Sequence, residues 1–352
     1  MKTRILFSFF FFLLLVGTTI SAVGQEVKEK TESAGNFDAS AFILEHVADS
    51  HEWHILTKAN GENVAIYLPV ILYSRGKGLD FFSSKQLADG KEYKGYKLEE
   101  EGDLKGKIVS VNNGVVDEVN LPLDFSMTKA VIGMLSAAII GLVLFISLSR
   151  SYKKTGISHP KGIQSFLEPL ILFIRDDIAI PNLGQHKYEK YMPYLLSAFF
   201  FILINNLMGL IPTPPPFGAN VTGNIALTFV LATCTFVITQ LSGNKTYWKH
   251  VFAAPGVPWW LLPIMIPVEI IGLFSKPFAL MIRLFANITA GHIIVLSLIC
   301  LIFIFNSLSV APVSIFFVIF MDFLELLVAL LQAYIFTLLS ALFIGMASPE
   351  HH

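Results

Sequence analysis

The chain has 352 residues, 54% of them hydrophobic and 14% charged, with a net charge of -1 at neutral pH. A mean hydropathy of +0.64 is outside the range of a soluble domain and points to several membrane spans, and the balanced charge gives no case for nucleic acid. The two cysteines, Cys234 and Cys300, fall in apolar stretches without metal-ligand spacing and read as small buried hydrophobes.

Lys2 and Arg4 precede an apolar run over 5–16 and small residues ending at Gly24. Residues 1–24 are therefore expected to be a cleavable secretory signal peptide, because the apolar core is short for about 30 Å of hydrocarbon. Residues 25–125 are richer in charge and glycine, with alternating stretches at 64–73 and 107–111. They predict a small extracytoplasmic region with some strand. Within it, His46, Asp49, His51 and His54 suggest either a metal site or the solvated start of a helix. The helix is the stronger reading, since His51 and His54 would share one of its faces.

Five spans follow by hydropathy, near 128–149, 190–211, 224–242, 262–306 and 311–347, making 126–352 an all-α membrane domain. Between the first two, 163–180 mixes apolar residues with Glu168, Arg175, Asp176 and Asp177, which suits a helix lying at the membrane interface. Basic residues after the first span (Arg150, Lys153, Lys154), before the second (Lys187, Lys190) and after the third (Lys245, Lys249) place the N-terminus outside and the C-terminus in the cytoplasm. The fourth span is too long for a perpendicular crossing and is punctuated by Pro263, Pro267 and Pro277, so the two C-terminal helices are expected to be long and tilted.

Arg283 lies inside the fourth span. A guanidinium in hydrocarbon costs at least about 2.5 kcal/mol and cannot escape by deprotonation, so it has either a functional role or an ion-pair partner within the bundle. On an ideal helix Glu269, Lys276, Arg283 and Asn287 fall within about 40° of one another, and Glu325 and Gln332 share one face of the last span. His292 lies on roughly the opposite side from Arg283, about 13 Å further along. Imidazole and carboxylate exchange protons near neutral pH whereas guanidinium stays charged, so His292 with Glu325 suggests a proton relay and Glu269 a second path near the cytoplasmic end. Plainer readings stand beside these. Glu269 and Lys276 would merely sit at the interface, Asn205, Asn206, Asn224 and Gln332 would only bond helices together, and Asp322 would be solvated.

Ser275-Lys276-Pro277, Arg283-Leu284-Phe285, Asn287, Ala290-Gly291 and Leu331-Gln332-Ala333-Tyr334-Ile335-Phe336 together resemble subunit a of the F-type ATP synthase. Asn206-Leu207-Met208-Gly209-Leu210-Ile211-Pro212 and Met346-Ala347-Ser348-Pro349-Glu350-His351 match as well, and the similarity covers about 126–352. The resemblance implies the proton-channel subunit of the Fo sector in a bacterial inner membrane, with a c-subunit ring, a b-subunit peripheral stalk and the remaining Fo and F1 subunits as partners. No cofactor is implied, and the chain would not be catalytic alone; it contains no phosphate-cradling Gly-x-x-x-x-Gly-Lys-Ser/Thr motif. By the same resemblance, Arg283 would face the ring carboxylates, Asn287 and Gln332 would place or screen it, and Glu269 would belong to the cytoplasmic half-channel. His292 and Glu325 would form the pair in the extracytoplasmic half-channel. Here the sequence departs from many bacterial relatives, which carry the acid and the histidine in exchanged positions; Gly209 also replaces a common aspartate. The rival classes are a self-contained proton-coupled transporter, in which Arg283 would bind an anionic substrate, and a membrane scaffold without transport.

Overall fold

A computed structural model describes residues 39–57, 63–75, 78–99, 102–112, 115–117, 120–155, 162–211, 215–252, 258–305, 307 and 309–348. The expected signal peptide at 1–24 lies outside the described residues. Two compact units result, one of 1–135, 208–220 and 293–322, the other of 136–207, 221–292 and 323–352.

The first unit begins with helix α1 (Ala39–Val47). Among the described residues, eight short strands follow, β1 (Glu52–Thr57), β2 (Asn63–Tyr67), β3 (Pro69–Ser74), β4 (Gly78–Ser83), β5 (Tyr96–Leu98), β6 (Ile108–Asn112), β7 (Val115–Asp117) and β8 (Leu123–Asp124). They form three antiparallel sheets, β1-β2, β4-β3-β8 and β5-β6-β7. The helix expected around 46–54 is not there, because α1 ends at Val47 and His54 lies within a strand. Trp53 is 3% exposed, so burial and the strand preference of Trp-His-Ile-Leu-Thr outweigh the helical spacing of two histidines. Nor does the alternating stretch at 64–73 form one strand. It changes partners at Leu68-Pro69, since proline has no N–H to give a ladder, and the Leu68 N–H donates to Ser84 Oγ at 3.0 Å. In β3 the alternation holds, with Val70, Leu72 and Ser74 buried. Val70 and Leu72 pack with Phe82, Leu87, Tyr96 and Ile108.

His51 Nε2 lies 2.9 Å from Asp124 Oδ2 and closes the two ends of this region. Burial pushes the Asp124 carboxyl up, but the bonds from His51 and from the Ser126 hydroxyl and N–H outweigh it and hold the group below the usual carboxylate value. Among the described residues, no three His, Cys, Asp or Glu side chains converge on a metal-sized site.

Helices α2 (Lys129–Thr155), α3 (Ile163–Phe173), α4 (Ile180–Leu183), α5 (Tyr188–Leu210), α6 (Ile225–Ser242), α7 (Lys245–Phe252), α8 (Leu262–Ile304) and α9 (Ala311–Ala347) complete the chain. Among the described residues, four helices, α2, α5, α8 and α9, are long and apolar enough to cross a membrane, and α6 with α7, bent by 105°, makes a fifth if the pair is one span. The charged stretch before α5 is short helix throughout, with a π-helical turn at Ile174–Ala179 joining α3 to α4. At 1.5 Å per residue, the 43 residues of α8 run about 64 Å, twice the hydrocarbon thickness and more than a perpendicular crossing needs.

In the first unit, Phe42 of α1 packs on Val295, Leu296, Ile299 and Cys300 of α8 and Val318 of α9. The start of α2 is capped there too, with Asp49 Oδ1 accepting the Ala130 N–H at 3.0 Å, which satisfies a backbone donor that no helix can satisfy for itself. Cys300 is buried as expected, whereas Cys234 is exposed. In the second unit the core gathers Ile174, Ile178, Leu195, Phe199, Ile202, Leu284, Phe336 and Ile344. Gly345 is indispensable to it, because a side chain there would overlap the Asn182 carbonyl.

Candidate functional site

Helix α8 continues through Pro267 and Pro277, each of which removes one backbone donor. Leu280, Leu284 and Ile288 are 2%, 0% and 4% exposed. This four-residue repeat is the packed stripe of α8 and turns neighbouring Arg283 to the exposed side. Among the described residues, nothing pairs with the Arg283 guanidinium.

The polar groups beyond Arg283 meet α9 in antiparallel register. Asn287 Nδ2 donates to Gln332 Oε1 at 2.8 Å, and Gln332 is 3% exposed. About 7.5 Å further along α8, His292 Nδ1 is hydrogen-bonded to Glu325 Oε1. The two side chains are 18% and 6% exposed, so the pair is held away from bulk water. Gly291 makes this approach possible, because a Cβ there would come within 3.1 Å of Glu325 Oε1. Its neighbour along the helix is the histidine, so one backbone position without a side chain admits the carboxylate to the imidazole. This is a requirement that the sequence signals only as an isolated glycine inside a helix.

The expected stripe is therefore only partly a unit. Asn287 and Lys276 both reach α9, the latter with Nζ 5.6 Å from the Phe343 ring centroid. Glu269 turns instead to α7, where its Oε1 lies 3.8 Å from His250 Nδ1. In the sequence, α7 stands out only for the basic residues Lys245 and Lys249, and nothing there singles out His250. The amphipathic, cation-bearing eight residues of the helix were the available signal.

Asn206 Nδ2 donates to the Ala329 carbonyl at 3.2 Å and Asn206 Oδ1 accepts from the Thr222 hydroxyl at 2.7 Å, an interhelical link one turn from Glu325. Asn205 bonds back to the Phe201 carbonyl of its own helix. Asn224 links no helices, for its side chain accepts the Ala226 N–H and caps α6. Asp322, expected to be solvated, is half-buried with one carboxylate oxygen out of water.

A family model described as ATP synthase A chain matches residues 131–345, and a separate one, described as a domain of unknown function, matches 42–125. Among curated relatives, ATP synthase subunit a 2 of Chlorobaculum tepidum is 52% identical over 246 residues, 66% of this chain and 68% of that protein. ATP synthase subunit a of Chloroherpeton thalassium is 50% identical over 65% of this chain and 69% of its own length. That of Myxococcus xanthus is 47% identical over 65% and 76%. The matched span contains the unpaired arginine, both polar pairs between α8 and α9, and the helices that position them, so on this evidence the chain belongs to the ATP synthase A chain family.

Proposed function

We propose that this subunit a of the ATP synthase Fo sector conducts protons along two offset half-channels, which communicate only through carboxylates on a rotating ring of c subunits. The observation that carries the reading is the exposed Arg283, unpaired among the described residues, in the middle of an apolar helix. A permanent cation in that setting is costly unless a partner supplies the counter-charge, and a carboxylate on a neighbouring chain is the group that would do so. Arg283 then stabilises the ionised form of each passing carboxylate, which must release its proton on arrival. Because guanidinium keeps its own protons, it also bars direct passage from one half-channel to the other.

His292 and Glu325 hold the proton on the extracytoplasmic route, sharing it across their hydrogen bond. Imidazole and carboxylate in contact need only share one proton between them, so their order along the chain is immaterial. Asn287, itself held by Gln332, gives the ring-facing surface an amide of fixed orientation one turn from Arg283. Glu269 serves the cytoplasmic route. Nucleotide chemistry belongs to F1, joined through the c ring and the b stalk. One charge crossing 100 mV gains only about 2.3 kcal/mol, so rotation must sum several protons per ATP.

We place the chain in a bacterial inner membrane with its N-terminus outside, its first 24 residues being a signal peptide and 25–125 an extracytoplasmic region. The decisive test is ATP-driven acidification of inverted membrane vesicles carrying Arg283→Ala. Acidification should vanish while the subunit remains in the membrane; vesicles that still pump would overturn the proposal.

A further inference from the structure

The neighbourhood of Glu269 contains a second titratable group that the mechanism so far does not use. His250 sits on α7, which turns away from α6 by 105° and is anchored by Val251 at 3% exposure. Its Nδ1 stands 3.8 Å from Glu269 Oε1, with the histidine side chain 59% exposed and the glutamate 32%. That separation is too long for a direct hydrogen bond but suits an ion pair or one bridging water. Exposure thus falls stepwise, from bulk solvent through the imidazole to the carboxylate.

Next to Tyr247 a small cleft of about 20 Å³, room for about one water, opens among α6, α7, α8 and α9, with Thr239, Gln240, Tyr247 and Lys276 set beside apolar Leu273 and Phe343. The Tyr247 hydroxyl donates to Gln240 Oε1 at 3.4 Å, and Tyr247 lies within electrostatic reach of Glu269. The charged and titratable groups around His250 are, among the described residues, Glu269 from α8 and Tyr247 and Lys249 on its own helix, with Lys276 across the cleft. Among these, only Glu269 places an anionic oxygen at ion-pair distance from the imidazole.

We propose that His250 is the proton-collecting group of the cytoplasmic mouth and exchanges protons with Glu269. The inference rests on the reading of Glu269 as part of the cytoplasmic route. During ATP-driven pumping, a proton from bulk water binds Nε2 of the neutral ring. The Nδ1–H of the resulting imidazolium then passes through one bridging water to the Glu269 carboxylate and leaves neutral imidazole in its other tautomer. The carboxylic acid so formed releases the proton toward the Thr239, Gln240 and Tyr247 side of the cleft. A solvent-facing imidazole matters most where free protons are scarce, so its effect grows with cytoplasmic pH.

The test uses the complete ATP synthase in inverted vesicles, whose bath contacts the cytoplasmic face. With His250→Gln, the initial rate of ATP-driven acidification should fall about tenfold at a bath near pH 8 and stay close to the unsubstituted rate near pH 6. Imidazole added to the bath should restore the rate near pH 8. A loss of equal size at both pH values that imidazole does not repair would make the pair a structural tie between α7 and α8 and overturn the proposal, as would unchanged rates at both. Arg283→Ala, measured alongside, separates the two readings. If it abolishes pumping while His250→Gln behaves as unsubstituted, only the present inference fails; if it pumps, the half-channel mechanism fails with it.

Discussion

Arg283 and His292 stand nine residues apart on one helix, yet their surroundings are opposite in kind. The imidazole is withdrawn from water and bonded to a carboxylate of the same chain, with a glycine beside it to admit that carboxylate. The guanidinium faces outward with no counter-charge among the described residues. A buried charge whose partner is internal contributes to holding the bundle together, and losing one member leaves the other stranded. An outward charge without a partner contributes nothing of the kind. On the proposed mechanism, the difference separates groups that work on each other from a group that works on a neighbour.

The sharpest way to break this contrast is to remove each charge and follow transport and folding separately. Arg283→Ala should abolish ATP-driven acidification yet leave the heat resistance of the detergent-solubilised subunit unchanged. A marked drop in its unfolding temperature would mean that the arginine has an internal partner after all. Glu325→Gln should lower proton flux by about 100-fold or more, the range usual for loss of a positioned acid or base. If the pair rather than its order matters, combining His292→Glu with Glu325→His should return most of that flux. A double variant no better than the single one would assign each position its own fixed role.

Smaller effects refine the internal side of the contrast. Gly291→Ala forces the Glu325 carboxylate to give way by a few tenths of an ångström and should slow proton flux by about tenfold, since ångström-scale misplacement of a reacting group costs up to about 100-fold. Unchanged flux would show that the carboxylate shifts freely. Asn287→Ala, which removes the partner of Gln332 but no charge, should reduce pumping only a few-fold.

The least effect on transport is expected from His51→Ala, because its bond to Asp124 ties the two ends of the strand region together. There the consequence is acid stability. Asp124 lies below its usual value in the folded chain, so the stabilisation is complete above the unfolded value of about 3.9 and disappears as pH falls through the lower folded value. Fluorescence of buried Trp53 during acid titration should therefore report unfolding at a higher pH in the variant. Coincident titrations would show that the His51 bond is immaterial.

Much of this was legible before folding. Spans were readable because a membrane demands long uninterrupted apolar runs, and Arg283 stood out because the bilayer makes such a residue costly. The sharing of a face by Glu325 and Gln332 needed only helical periodicity. What sequence could not supply was register between elements. That Asn287 meets Gln332 while His292 meets Glu325 depends on how α8 and α9 slide along each other, a long-range packing outcome. His250 and Glu269 lie on different helices, α7 and α8, and no local pattern announces that they meet. Around His51, two residues at helical spacing misled because the buried Trp53 between them favours a strand.

The far end of α9 is fastened from two directions. Its Ala347 carbonyl accepts the Asn244 N–H at 3.0 Å, while Lys187 Nζ donates to the Ser348 carbonyl at 2.9 Å and hydroxyl at 3.0 Å. An ammonium over terminal carbonyls also offsets the negative end of a long helix. Both clamps come from corners synthesised much earlier than the turn they grip, so those corners must wait in the ribosome-bound nascent chain with their donors solvated. Assembly of this half of the molecule thus ends like a zip fastener whose slider arrives last, and fusions abutting Ser348 would jam it.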